Sequence, residues 1–339
     1  MQQSSGTIQT DHTHSALPLI EKLKSLGLSL PLLICLTLLG LAPLFIQDEY
    51  ILRLLVISLY FGSQALTFDF TGGYINAVNF GFAAFAGLGA YAAALVAIHT
   101  GLGAWAGLLM GALITGLVGF FTGLLTLRLR GIYVSLMSWF VGMTLMALAT
   151  ALEDVTRGAR GLIVPPIYEN ATTTVYFYIL FCIFLVVFVI LRLIIHSRIG
   201  LAFRAIGQNF EAAQASGVNP TRYKLLNFTI SSACAGLFGG FYAHYVGIIT
   251  PDVMNMGYTM EIMALAFIGG SGSLLGGVFA AFLLIPIFDS LKYLMDYRLI
   301  LYGLLLILVM IFYPAGLAGL YQTVIQKIKL AIKKQRPAS

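Results

Sequence analysis

Continuous apolar runs of about 20 residues recur along the whole chain, the length at which a helix crosses a ~30 Å hydrocarbon layer. That feature constrains the fold more than any other. The runs do not alternate apolar with polar positions, so an outer-membrane barrel is excluded. The composition agrees: 59% of residues are hydrophobic and 9% are charged, where soluble domains carry roughly 25% charged residues. The chain reads as an all-α polytopic membrane protein with about ten transmembrane helices, some of them short or broken. The spans fall at residues 30–47, 51–68, 78–98, 104–127, 132–151, 175–195, 224–249, 259–268, 276–288 and 299–315. Residues 1–29 read as a mobile N-terminal tail, 30–318 as the transmembrane domain and 319–339 as a basic C-terminal tail. The first run resembles a signal peptide but lacks a small-residue cleavage site and is followed at once by another span. The 36 glycines suit helices packed backbone to backbone. Cys35, Cys182 and Cys234 lie far apart inside apolar segments and read as buried thiols, not as a disulfide or metal set.

Charge sets the expected orientation. With ten spans and both termini cytoplasmic, the inner side holds Lys22, Lys24, Arg128, Arg130, Arg192, Arg198, Arg204, Arg222, Lys224, Lys327, Lys329, Lys333, Lys334 and Arg336, whereas the outer side holds only Arg53, Arg157, Arg160, Lys292 and Arg298. Short inner loops rich in Lys and Arg are the rule for membrane proteins. Scattered over short loops, these charges do not suggest a nucleic-acid partner.

Two stretches interrupt the apolar pattern. Between the eighth and ninth spans lies Gly269-Gly270-Ser271-Gly272-Ser273-Leu274-Leu275-Gly276-Gly277, too glycine-rich for ordinary helix. It is either a tight turn between two short helices or a break in one long span, on the inner side and buried in protein. No Gly-Lys-Ser/Thr follows, so a nucleotide-binding loop is excluded. The other stretch, residues 197–224, is too polar to cross a bilayer. Its core, Leu201–Ser216, is expected as one short helix stopped by Gly217 and Asn219-Pro220. On such a helix Arg204, Gln208 and Glu211 share a face, and the small Ala212, Ala213 and Ser216 leave room for close approach. The two readings are a helix lying on lipid headgroups and a knob that docks into a cytoplasmic partner.

Intramembrane chemistry is poorly represented. No His-Glu-x-x-His motif, paired aspartates or Ser/His couple occurs, and His99, His196 and His244 are isolated. Asp69, Glu261 and Asp289 fall at predicted span ends, so the spans offer no evident means of ion coupling. Transport, if performed, draws its energy from another subunit. Asn76 and Asn79 enter a Gly/Ala-rich segment and read either as helix-packing glue or as pathway residues. Arg157 and Arg160, in the longest outer loop, suit either solvent or an acidic outer partner.

Four stretches together resemble the LivM-type permeases of branched-chain amino acid ABC importers. They are Asn76–Tyr91, Leu129-Arg130-Gly131-Ile132-Tyr133, Ile199–Asn219 with Glu211-Ala212-Ala213 and Gly217, and Gly269–Gly276. Departures are Phe82 at the family's His, Gly-Ser-Gly-Ser for Gly-x-Gly-Thr, Phe210 before the Glu-Ala-Ala, and Gly277 where a proline is common. The resemblance implies a permease subunit with no nucleotide site or cofactor of its own. Its partners would be a homologous second permease chain, two ATP-binding subunits using ATP and Mg, a periplasmic or extracellular substrate-binding protein and membrane lipid. It implies coupling to the ATPase through Arg204, Gln208, Glu211, Ala212, Ala213 and Gly217. The pathway candidates are Asn76, Asn79, Phe82, Gly269, Gly270 and Gly272, and outer docking falls to Arg157 and Arg160. The expected location is a bacterial cytoplasmic membrane. The expected substrate is a branched-chain or other hydrophobic amino acid; urea or a short amide, a stand-alone carrier and a non-transporting scaffold are the alternatives.

Overall fold

The computed structural model describes residues 30–46, 48–127, 129 and 131–290, with scattered positions from 297 to 319. The N-terminal tail, most of the tenth expected span, nearly all of the C-terminal tail, and Lys22, Lys24, Arg128, Arg130, Lys292 and Arg298 lie outside the described residues. The described elements are α-helical apart from two short strands and two 3-10 turns. Six helices are long and apolar enough to span a membrane, and three further apolar helices are shorter. The chain is a multi-pass membrane protein.

Two compact units are distinguished, residues 1–45 and 46–339. The first contains α1 (Leu30–Phe45), with Pro43 in its last turn. The second begins with α2 (Glu49–Gly72), capped by the Asp48 side chain on the Tyr50 N–H at 2.8 Å. It continues through α3 (Phe82–Thr100), α4 (Gly103–Thr126), α5 (Ile132–Ala151) and the short α6 (Glu153–Thr156). The long α7 (Thr173–His196) leads into the loop helices α8 (Arg198–Gln208) and α9 (Phe210–Ala215). The long α10 (Pro220–Val246) and the shorter α11 (Met256–Gly269) and α12 (Gly276–Ser290) follow.

α2 is the central helix. Asn227 Nδ2 donates to the Phe70 carbonyl at 2.9 Å, Ser231 Oγ to Thr67 O at 2.9 Å and Gln64 Nε2 to Ala235 O at 3.4 Å, so α10 runs antiparallel to α2. Such bonds are worth about 0.6 kcal/mol each between membrane helices, and their main effect is to fix register. Phe61 stacks on Tyr258 and Phe68 meets Phe267 edge-on, so α11 runs parallel to α2. A side chain at Gly62 would press on Val278 and one at Gly277 on Ala65, which places α12 antiparallel. α3, α4 and α10 form a second group in which backbones nearly touch: a methyl at Gly89 would overlap the backbone of Gly236.

These directions bring the C-termini of α2, α4, α7 and α11 and the N-termini of α10 and α12 to one end, the loop end. At the opposite end Leu162–Ile163 (β1) pairs antiparallel with Ile248–Ile249 (β2), and Val164 N–H bonds Gly247 O at 2.8 Å. This pairing ties the long loop after α5 to the end of α10.

Several expectations are corrected. The second span does not stop at 68 but runs to Gly72, so Asp69 lies inside a helix and is buried. Glu261 is likewise buried within α11. The third helix starts at Phe82, not 78, because residues 76–79 take no helical pattern and are held by side chains: Phe80 N–H donates to Ser138 Oγ at 3.1 Å and Gly81 N–H to Asn79 Oδ1 at 3.0 Å. The loop helix is two helices, broken at Asn209, whose φ of −156° and ψ of 110° are extended. Cys35 and Cys182 are exposed and only Cys234 is partly covered; an apolar membrane-facing surface hosts a thiol as readily as a core does.

Candidate functional site

The loop between α7 and α10 is built as an anchor followed by a projection. Ser197 caps α8 by accepting from the Ile199 N–H at 3.1 Å. On α8, Ala202, Phe203 and Ile206 are buried, while Leu201, Arg204 and Gln208 are exposed. Phe203 is fully buried, edge-on to Phe70 of α2 at 5.6 Å and to Tyr223 of α10 at 6.2 Å. Gly207 lies so close to the Tyr74 carbonyl that a side chain there would overlap it, and the Arg204 guanidinium stands 5.6 Å from the Tyr74 ring centre. Each contact fastens α8 to the membrane helices.

Asn209 then ends α8 and caps α9, its Oδ1 accepting from Glu211 and Ala212 N–H groups at 3.0 Å each. Glu211, Ala212, Gln214 and Ala215 are exposed, whereas Ala213 turns inward. Gly217, at φ +83°, closes the segment with no atom within 4 Å of where a side chain would sit. The break at Asn209 therefore separates Arg204 and Gln208 from Glu211, Ala212 and Gly217; the residues expected on one face belong to two helices. Asn219 caps α10 through the Arg222 N–H at 3.2 Å. Lys224 is buried and its Nζ donates to Thr126 O, the last carbonyl of α4, at 2.8 Å and to Leu129 O just beyond it at 3.3 Å.

Directly behind the anchor lies the glycine-rich stretch, a tight turn joining α11 to α12. Asp69 holds it, one carboxylate oxygen accepting from Gly272 N–H at 2.7 Å and the other from Leu274 N–H at 2.9 Å. Tyr74 Oη donates to Gly272 O at 2.7 Å. Gly270 and Gly272 have φ of +110° and +76°, conformations open to glycine at little cost. Gly269 packs against Gly276 with no room for a side chain on either. The chain of contacts is continuous: α8 touches Tyr74, Tyr74 touches the turn, and Asp69 ties the turn to α2.

The expected pathway residues are spread apart. Asn76 is exposed at φ +58°, Asn79 is engaged with Gly81, and Phe82 is buried edge-on against Phe68 at 5.4 Å. Gly269, Gly270 and Gly272 belong to the turn. Arg157 and Arg160 are both exposed at the opposite end, Arg157 in the left-handed conformation that ends α6. Among the described residues no three His, Cys, Asp or Glu side chains could hold a metal ion. Tyr74 is not singled out by the sequence, and Asp69 reads there only as a span end. The available signal was a lone acid four residues before Gly73-Tyr74 in an otherwise apolar run.

The chain is similar to several curated transport proteins. The high-affinity branched-chain amino acid transport system permease protein LivM of Salmonella typhimurium is 29% identical over 266 residues, 70% of this chain and 62% of the relative. The corresponding LivH of Escherichia coli K12 is 29% identical over 181 residues, 49% of this chain and 58% of the relative. The autoinducer 2 import system permease protein LsrC of Yersinia pseudotuberculosis is 26% identical over 203 residues, 57% of this chain and 56% of the relative. The chain thus spans less than two thirds of the length of each. No solved structure gives a match. The family described as "Branched-chain amino acid transport system / permease component" matches residues 50–311, and the chain belongs to that family.

Proposed function

We propose that the chain is the membrane-spanning permease subunit of an ATP-driven importer in a bacterial cytoplasmic membrane, moving branched-chain or other hydrophobic amino acids by alternating access. The observation that carries this reading is the loop 197–217: an exposed α9 projects from an α8 that is fastened through Phe203 and Tyr74 to α2 and to the Gly270–Leu275 turn. Such a part transmits force. A partner gripping α9 displaces α8, and through Tyr74 and Asp69 the displacement reaches α2, α11 and α12.

The partners that follow are two ATP-binding subunits at the loop end, a homologous second permease chain, and a substrate-binding protein docking at the opposite end near Arg157 and Arg160. ATP and Mg belong to the ATP-binding subunits. The loop end faces the cytoplasm, in keeping with Arg198, Arg204, Arg222 and Lys224 there. LivM, matched over 70% of this chain where LsrC is matched over 57%, is named for branched-chain amino acids, and this supports an amino acid over autoinducer 2 as substrate.

Glu211→Lys tests the coupling. Reversing a charge in a contact that becomes desolvated costs about 3–5 kcal/mol. The variant is expected to insert at wild-type levels and to lose both uptake and binding-protein-stimulated ATP hydrolysis. Wild-type uptake by Glu211→Lys would contradict the reading.

A further inference from the structure

α11 has 14 residues, about 21 Å of helix and too short for the ~30 Å hydrocarbon layer. Since its C-terminus is at the loop end, its N-terminus lies within the thickness of the membrane. α3 also starts inside, after residues 73–81 have led back from the loop end, and the two starts meet: the Ala83 N–H of α3 donates to Thr259 Oγ1 of α11 at 3.0 Å. Two helices thus point their positive ends at one region from different directions. A cavity of about 20 Å³ lies there, walled by Tyr60, Tyr242, Tyr258, Ala83, Val253 and Ile262. That is room for about one water.

Its walls are chemically mixed. Tyr60 and Tyr242 stack at 4.5 Å, giving an apolar aromatic surface. Gln64 is fully buried next to it, with Nε2 donating to Tyr60 Oη at 3.2 Å. Its Oε1 has no hydrogen-bond partner among the described residues. A buried amide oxygen left without a donor costs about 1–3 kcal/mol, so a donor arriving there is favoured. The buried Glu261 lies one turn along α11 from Tyr258.

We propose that this cavity is the closed form of the substrate subsite, and that it takes an amino-acid zwitterion with an apolar side chain. The carboxylate is favoured by the two helix N-termini. The ammonium is favoured by the tyrosine faces and the Gln64 oxygen, and the apolar side chain by the Tyr60–Tyr242 wall. With room for about one water, the subsite is shut in this conformation. The inference rests on the amino-acid importer reading and adds the residues that meet the substrate.

The test is uptake of radiolabelled leucine and alanine by the complete transporter, with its second permease chain, ATPases and binding protein, in proteoliposomes. Tyr242→Leu shrinks the wall, Tyr242→Phe keeps it, and Gln64→Leu removes the amide. Tyr242→Leu is expected to lower the leucine-to-alanine ratio of kcat/KM about tenfold, as a change in an apolar pocket does. Tyr242→Phe keeps the ratio, and Gln64→Leu lowers kcat/KM for both. All three retain ATP hydrolysis stimulated by the binding protein. If the wild type imports leucine while Tyr242→Leu keeps the wild-type ratio, or Gln64→Leu keeps wild-type kcat/KM, the subsite is refuted and the importer reading stands. If the wild-type complex hydrolyses ATP but moves neither amino acid, the amino-acid reading fails, and the subsite with it.

Discussion

α8 and α9 are neighbours in sequence, separated by one residue, yet they are held in opposite ways. α8 buries Ala202, Phe203 and Ile206 and carries Arg204 over Tyr74, whereas α9 buries only Ala213 and is exposed over most of its length. A helix of 6 residues is too short to be stable by propensity alone. α9 persists because Asn209 supplies two cap bonds at its start and Gly217 turns the chain at its end. The contrast teaches that one loop can be built of two unlike parts: one fastened to the membrane helices, the other left available to a partner.

That division can be broken at several points. The largest effect is expected from Phe203→Ala. Removing a fully buried aromatic ring costs about 3–5 kcal/mol, and it should lower the thermal stability of the purified chain sharply, while Gln214→Ala on exposed α9 should change it by no more than about 0.5 kcal/mol. Equal effects of the two would erase the distinction between anchor and projection.

Asp69→Ala comes next. It leaves the Gly272 and Leu274 N–H groups without their acceptor, at about 1–3 kcal/mol each. The expected result is a lowered melting temperature together with uncoupled ATP hydrolysis, because the turn is no longer tied to α2. Asp69→Asn keeps one acceptor oxygen and should fall between Asp69→Ala and the wild type.

A smaller effect on stability is expected from Gly217→Val. A β-branched residue at φ +83° is strained by about 1–3 kcal/mol, with no steric clash to add. Uptake should fall with little loss of inserted protein, and Gly217→Asn, which tolerates the left-handed conformation, should recover most of it. If Asn were as damaging as Val, backbone conformation would not be what Gly217 contributes.

Much of the helical framework was legible because apolar runs of spanning length leave little choice; the span expected at 132–151 is observed as Ile132–Ala151. Where the sequence misled, a polar residue was serving a buried contact. Asp69 suggested a helix end because an acid is costly in a membrane, but two backbone N–H groups receive it. The break at Asn209 was hidden because helix formers stand on both sides, Arg, Ala and Gln before it and Glu, Ala and Gln after it, and only the capping geometry reveals where one helix stops and the next begins. The Glu-Ala-Ala stretch was legible as part of a polar loop between two spans, whereas the anchorage of α8 through Tyr74 depends on a contact between residues 130 positions apart (Tyr74 and Arg204) that no local pattern displays.

Thiol labelling tests the central claim most directly. In a background lacking Cys35, Cys182 and Cys234, Gln214→Cys places a single thiol on the exposed side of α9, and Thr100→Cys places one at the opposite end as a control. In the permease without ATP-binding subunits both should react with a water-soluble maleimide. Adding those subunits should protect Gln214→Cys and leave Thr100→Cys unchanged. Undiminished labelling of Gln214→Cys in the fully assembled, transporting complex would contradict the assignment of α9 as the surface through which ATP hydrolysis drives this permease.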